Sequence, residues 1–200
     1  MMKRLLSLFS LALLLLLSAC LTGKSMEVIY TIQSEPPLKN YTVYLLINDQ
    51  RSPKDLVGPA ARDQGLFPEL RNDHFDLKIN LPNGSMVTMT DQPTAQVVRE
   101  AVNRRLETRK VTATTLRSAA QLTLEVNIET LKIDVVDGDL MATVGLTSKI
   151  YREPSSFAKS ETFVTSNRMK LIGGAGGATV LSEALTQAVN DLDFSPINNY

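Results

Sequence analysis

An almost unbroken apolar run from Leu5 to Leu17, ending in Ser18-Ala19-Cys20, sets the point at which folding can begin. Lys3 and Arg4 stand in front of it. A basic head, an apolar middle and small residues before a cut have the layout of a secretory leader. In helical form the run spans roughly 20 Å, short of the ~30 Å of hydrocarbon in a bilayer. It therefore reads as an export signal and not as a permanent membrane span. The expected cut lies between Ala19 and Cys20. The chain then divides into a leader (1–19), a tether (20–25) and one folded domain (26–200).

The residues around the cut carry more information. An ordinary leader cut favours small side chains one and three positions before it, yet Leu17 occupies the third. Leu17-Ser18-Ala19-Cys20 instead resembles a bacterial lipobox. That resemblance implies diacylglyceryl transfer to Cys20, cleavage before it and acylation of the new amino terminus. Two or more acyl chains hold a protein on a membrane where one does not. In the sorting rule of such bacteria, Leu21 after the cysteine implies the outer membrane, with the domain facing the periplasm. Leu21 to Ser25 reach at most ~17 Å, which keeps the domain close to the bilayer.

The chain has 200 residues and a single cysteine. With Cys20 committed to lipid, no disulfide is available even in an oxidising compartment. Removal of Lys3 and Arg4 with the leader leaves 19 basic against 21 acidic side chains. Nothing is basic enough to suggest nucleic acid, and no acidic run is long enough for a disordered tail.

Periodicity supplies the elements. Met26 to Ile32 and Tyr41 to Ile47 read as strands, separated by Ser34-Glu35-Pro36-Pro37. Lys54 to Asn72, broken by Gly58, Pro59, Gly65 and Pro68, reads as a long loop or short irregular pieces. Phe75, Leu77, Ile79 and Leu81 alternate as a half-buried strand, and Asn83-Gly84 turns it back through Met86 to Thr90. Asp91 is placed to cap a helix from Pro93 to Arg109. Its apolar face carries Val98, Ala101, Val102 and Leu106, with Arg99, Glu100, Arg104 and Arg105 elsewhere on the wheel.

Leu122 to Ile128 alternates strictly, the parity flips past Thr130, and a bulge is expected there. Asp137-Gly138 turns the chain into Leu140 to Ile150. Pro154-Ser155-Ser156 turns it again into Phe157 to Thr165. A glycine-rich stretch, Gly173 to Gly177, leads to a last amphipathic helix bearing Leu181, Ala184, Leu185, Ala188 and Leu192. The expected fold class is α+β, a two-layer domain with an antiparallel meander covered on one face by two helices. The other face, with Thr123, Glu125, Asn127, Glu129, Thr143 and Thr147, should be solvated or occupied by something else.

Tyr41 to Ile47 with Asp49-Gln50-Arg51, Leu56-Val57-Gly58, the helix Val97 to Leu106, the strand Leu122 to Leu131 and the helix Ser182 to Leu192 together resemble the YajG-like family of bacterial lipoproteins. More loosely, they are similar to the auxiliary lipoproteins of ABC-type lipid transporters. Residues 60–90 depart from the pattern. The resemblance implies no catalysis and no cofactor.

The residues agree on that point. The single histidine, His74, lies in Asp73-His74-Phe75-Asp76, and no Gly-x-Ser-x-Gly elbow accompanies it. A hydrolase built on Asp73, His74 and Asp76 is the rival reading. One histidine and two carboxylates at these spacings are a weak metal signal. Gly174 to Thr179 has neither the second strand of a dinucleotide fold nor a P-loop lysine, so it reads as a connection whose free amides could hold an anion. Glu125 and Glu129 are too far apart along a strand for a glycosidase pair.

The expected function is a lipid-anchored, non-enzymatic envelope accessory protein binding a partner protein or lipid, or else a scaffold for outer-membrane or surface-appendage machinery. Leu56, Val57, Leu66, Phe67 and Leu70, which have no periodic home, are the candidate partner-binding residues. The alternative is that they plug one end of the core.

Overall fold

The computed structural model describes residues 25–200 apart from 53, 69, 71–72, 153–155, 166–168 and 171–175, with backbone alone for 156–165 and 169–170. Among the described residues nine strands form two sheets. The smaller contains β1 (Met26–Thr31), β3 (His74–Asn80) and β4 (Met86–Pro93) in the order β1-β3-β4. The larger runs β5-β2-β6-β7-β8 through β5 (Thr112–Thr114), β2 (Thr42–Asp49), β6 (Leu122–Val136), β7 (Asp139–Arg152) and β8 (Ser156–Thr165). The two-residue β9 (Met169–Lys170) pairs with β7. Three α-helices lie among the described residues: α1 (Pro59–Asp63), α2 (Thr94–Thr108) and α3 (Gly177–Asp191).

The class is α+β, and β6-β7-β8 is the antiparallel meander that the alternation implies. The sheets are nevertheless mixed. β2 joins β6 and β5 in parallel, and β1 joins β3 in parallel. Alternation reports which side of a strand is buried, whereas strand direction depends on the connection between partners. Everything from Gln50 to Gln121 lies between β2 and β6, long enough to return the chain in the same sense.

The turns follow their chemistry. Asp137 and Gly138 both take positive φ, +55° and +84°, as a tight two-residue hairpin requires. The register of β6 against β7 shifts between Ile128 and Thr130, so the bulge stands where the parity changes. That shift keeps Leu131, Ile133 and Val135 on the side already occupied by Leu124, Val126 and Ile128. Asp91 is not the helix cap. It sits inside β4 at φ +53°, and the backbone N–H of Thr94 instead bonds the carbonyl of Asp73.

Both long helices cover the apolar face of the larger sheet, α2 against β2 and α3 against β7, and they also meet β3 and β1 of the smaller one. The opposite face holds a hydrogen-bonded row. Asn48 Nδ2 donates to Asn127 Oδ1 at 3.0 Å, Asn127 Nδ2 to Thr147 Oγ1 at 3.3 Å, and Thr147 Oγ1 to Glu129 Oε1 at 3.0 Å. This face is less solvated than its polarity suggests, because Thr123, Asn127 and Thr143 are buried among neighbouring strands.

The outer edge of β1 is closed by side chains of α3. Ser182 Oγ accepts the N–H of Ile29, Thr186 Oγ1 accepts that of Thr31 and donates to the carbonyl of Ile29, and Asn190 Nδ2 donates to the carbonyl of Thr31. The spacing 182, 186, 190 places these groups on one face of the helix. An edge strand that would otherwise offer a template for pairing is thereby satisfied. Tyr30 Oη adds a buried bond to Asn190 Oδ1, and burial pushes the phenol's pKa well up.

Arg105 departs most from expectation. It lies on the buried side of α2, donating from Nε to Glu35 at 2.6 Å and from Nη1 to the carbonyls of Val189 and Leu192 at the end of α3. Its guanidinium also covers the ring of Phe194 at 4.6 Å. Arg109 Nη1 reaches the other oxygen of Glu35 at 2.8 Å, and burial draws the Arg109 pKa down. Breaking such a buried group leaves charges and carbonyls unpaired, at a cost of about 3–5 kcal/mol. Arg105→Met should therefore lower unfolding free energy by about 3 kcal/mol or more in urea titration, whereas Arg104→Met, at a half-buried site paired with Glu100 and Glu107 of its own helix, should cost about 1 kcal/mol or less.

Candidate functional site

The segment between β2 and β3 is ordered by its neighbours. The N–H of Ile133 bonds the carbonyl of Leu56, and the N–H of Gly58 bonds the carbonyl of Ile133, both at 2.7 Å. Leu56 to Gly58 thus lies against the far half of β6. A Cβ on Gly58 would stand 2.1 Å from the Asp134 carboxylate, so only glycine fits. That carboxylate accepts the N–H of Ala61 at 3.0 Å and holds the start of α1.

Farther on, Phe67 adopts φ +53°, which is costly for a bulky side chain. Packing holds it there. A Cβ on Gly177, the first residue of α3, would lie 2.4 Å from the Phe67 ring. Gly176, at φ +105°, caps the helix in the left-handed conformation. The glycine-rich junction is thus a tight apposition at Gly177, while 173–175 lie outside the described residues.

All five candidate partner-binding residues come together here. Leu56, Val57, Leu66, Phe67 and Leu70 line one open cavity of about 280 Å³ with Lys54 and Arg62 at its rim. They do not form an exposed patch. Four of them are buried, at 2%, 8%, 6% and 2% exposure for Leu56, Val57, Phe67 and Leu70, because they close the end of the core over β6 and α3. Leu66 is half-buried. Asp55 and Arg62 pair across the mouth at 2.9 Å, both more than half exposed. On the far side lies a second cavity, of about 310 Å³, reaching Arg51 and Glu129 to Lys132.

Arg51 is the least foreseen residue of this region. Its side chain, 2% exposed, spans two carboxylates: Nε and Nη2 donate to Asp49 at 2.8 Å, and Nη2 to Asp73 at 2.9 Å. Asp73 Oδ1 also accepts the Thr94 hydroxyl at 2.5 Å. The group ties the end of β2 to the start of β3 and of α2. Arg51 Nη1 is buried and has no partner among the described residues, which leaves the clamp incompletely satisfied there. Burial works against the Arg51 cation, but hydrogen bonds to Asp49 and Asp73 carry its pKa above the ordinary arginine value. The hydrogen bond from Arg51 holds the Asp49 carboxyl below the usual range despite partial burial.

The rival catalytic residues are dispersed among other partners. Asp73 belongs to the Arg51 clamp, His74 Nδ1 lies 2.9 Å from Asp91 Oδ1, and Asp76 accepts the N–H of Asp91. Among the described residues no group of three or more His, Cys, Asp or Glu side chains is placed to hold a metal ion. Ala19 and Cys20 lie outside the described residues. No helix among the described residues is long and apolar enough to cross a membrane.

Neither a family model nor a curated protein matches the chain. Among solved structures the fold is similar to that of protein XCC0632 from Xanthomonas campestris, a DUF330 protein. The TM-score is 0.54 at 15% identity, covering 82% of this chain and 91% of that one. A looser likeness to a neuraminyllactose-binding hemagglutinin homologue from Helicobacter pylori has a TM-score of 0.28 at 8% identity, over 79% and 84% of the two chains. The first likeness is one of fold, and the second carries no argument.

Two outcomes follow from burial and charge here. Removing Phe67 and Leu70 together (Phe67→Ala, Leu70→Ala) should cost about 5 kcal/mol or more, a large part of a domain's stability, seen as a deep fall in Tm. The Asp49 carboxyl is depressed in the folded chain, so its stabilisation is present above the ordinary aspartate pKa and is lost as pH falls through the depressed value. The stability gap between wild type and Asp49→Asn should therefore narrow as urea titrations move from about pH 6 to about pH 3.

Proposed function

We propose that the chain is a lipid-anchored accessory protein of the bacterial envelope, held on the outer membrane through Cys20, facing the periplasm and acting by binding a partner protein or lipid without catalysis. The observation that carries this reading is Leu17-Ser18-Ala19-Cys20, standing six residues before the first strand. Two further observations support it. The buried core begins at Met26, so a lipidated residue 20 would leave the domain intact and close to the surface. The pairing of His74 with Asp91 at an exposed strand start gives that histidine an ordinary structural role. The resemblance to YajG-like lipoproteins and to transporter auxiliary lipoproteins points the same way, and a scaffold for envelope machinery is the other role that such an anchor would suit.

The test is acylation. Wild-type chain expressed in a Gram-negative host should incorporate labelled palmitate, start at Cys20 by mass spectrometry and sediment with outer membranes. Cys20→Ala should lose the label and either stay uncleaved or leave the membrane. Wild-type protein found free in the periplasm and cut elsewhere would refute the reading.

A further inference from the structure

The cavity beside α1 combines an apolar interior with cationic side chains at its rim. Leu56, Val57 and Phe67 form walls, and Lys54 and Arg62 stand at the opening. Its volume of about 280 Å³ falls just below the ~300–1,000 Å³ usual for small-molecule pockets. That suits one narrow chain and not the body of a two-tailed phospholipid.

The rim is prepared for an anion. Arg62 commits only Nη2, to Asp55 Oδ2 and the carbonyl of Val57, both at 2.9 Å. A guanidinium has five N–H donors in a planar fork, and among the described residues no bond is made by Arg62 Nε or Nη1. Lys54 has one distant counter-charge, Asp49 at 3.7 Å, and is 65% exposed. The Asp55–Arg62 pair is exposed on both sides, and pairs of that kind open at little cost. The wall itself is strained, since Phe67 holds positive φ against Gly177, and strain of this sort gathers at ligand clamps.

We infer that this cavity binds a single-chain anionic amphiphile, with the head on Arg62 and Lys54 and the first part of the tail against Leu56, Val57 and Phe67. The inference extends the accessory role by naming a ligand class, and it does not require acylation of Cys20. The two readings therefore fail separately.

The experiment is calorimetric titration of leaderless protein carrying Cys20→Ser, which retains every described residue, with laurate, dodecyl phosphate and dodecyltrimethylammonium below their micelle concentrations. Laurate or dodecyl phosphate should bind saturably, and the stronger of the two identifies the head as carboxylate or phosphate. The cation with the same tail should not bind. The double variant Lys54→Gln, Arg62→Gln alters only exposed side chains and should weaken binding about tenfold or more with an unchanged circular dichroism spectrum. Leu66→Trp, which fills the cavity, should abolish it. Equal binding of the cationic amphiphile, unchanged affinity in the double variant, or no saturable binding of either anion would overturn the assignment.

Discussion

The guanidinium of Arg105 is the contact on which the arrangement of layers depends. It receives no help from secondary structure, yet it joins α2, Glu35 in the loop after β1, the last carbonyls of α3 and the ring of Phe194. The final carbonyls of a helix lack partners of their own, and a cation there also meets the negative end of the helix dipole. Arg105 answers both needs while Glu35 balances its charge. Together with the bonds from Ser182, Thr186 and Asn190 to β1, this side chain ties the amino-terminal part of the domain to its last helix.

A second guanidinium performs the matching task at the opposite end of β2. Arg51 binds the two carboxylates that end one sheet's strand and begin the other's, so the two sheets are joined by charge where the apolar interior gives out. Between these clamps the interior is mostly aliphatic, with Tyr30, Phe75 and Phe194 fully buried in it, and the strands that carry it alternate. The cavity lies just past the Arg51 clamp, where Leu56 to Gly58 follows β6 and the chain must bend sharply at Phe67.

Much of this architecture was legible in the sequence, for reasons that particular residues make plain. The period-two runs in β3 and β6, the Asn83-Gly84 and Asp137-Gly138 turns, the bulge near Thr130 and both amphipathic helices rest on local chemistry that one stretch of chain displays by itself. Strand direction did not, because the parallel union of β2 with β6 depends on 72 intervening residues. Arg105 was hidden for a related reason: on a helical wheel it looks like another charge beside Arg104, and only Glu35 and the end of α3, far away in sequence, make its burial affordable. Arg51 had a faint signal in Asp49-Gln50-Arg51, but its second carboxylate lies at Asp73. The aperiodic apolar residues between Leu56 and Leu70 line one cavity together, and what periodicity could not tell was that Leu56, Val57, Phe67 and Leu70 are buried.

The ladder of Ser182, Thr186 and Asn190 along β1 has a consequence in time. The first described strand has one edge completed by the last described α-helix, about 150 residues later in the chain. Until α3 arrives, β1 has a raw edge, Tyr30 lacks its partner and the Val189 and Leu192 carbonyls that Arg105 will bind do not yet exist. Such a chain cannot complete β1 from its amino-terminal half alone: the edge stays open until Ser182, Thr186 and Asn190 are in place, so the finished edge and the docking of α3 form together.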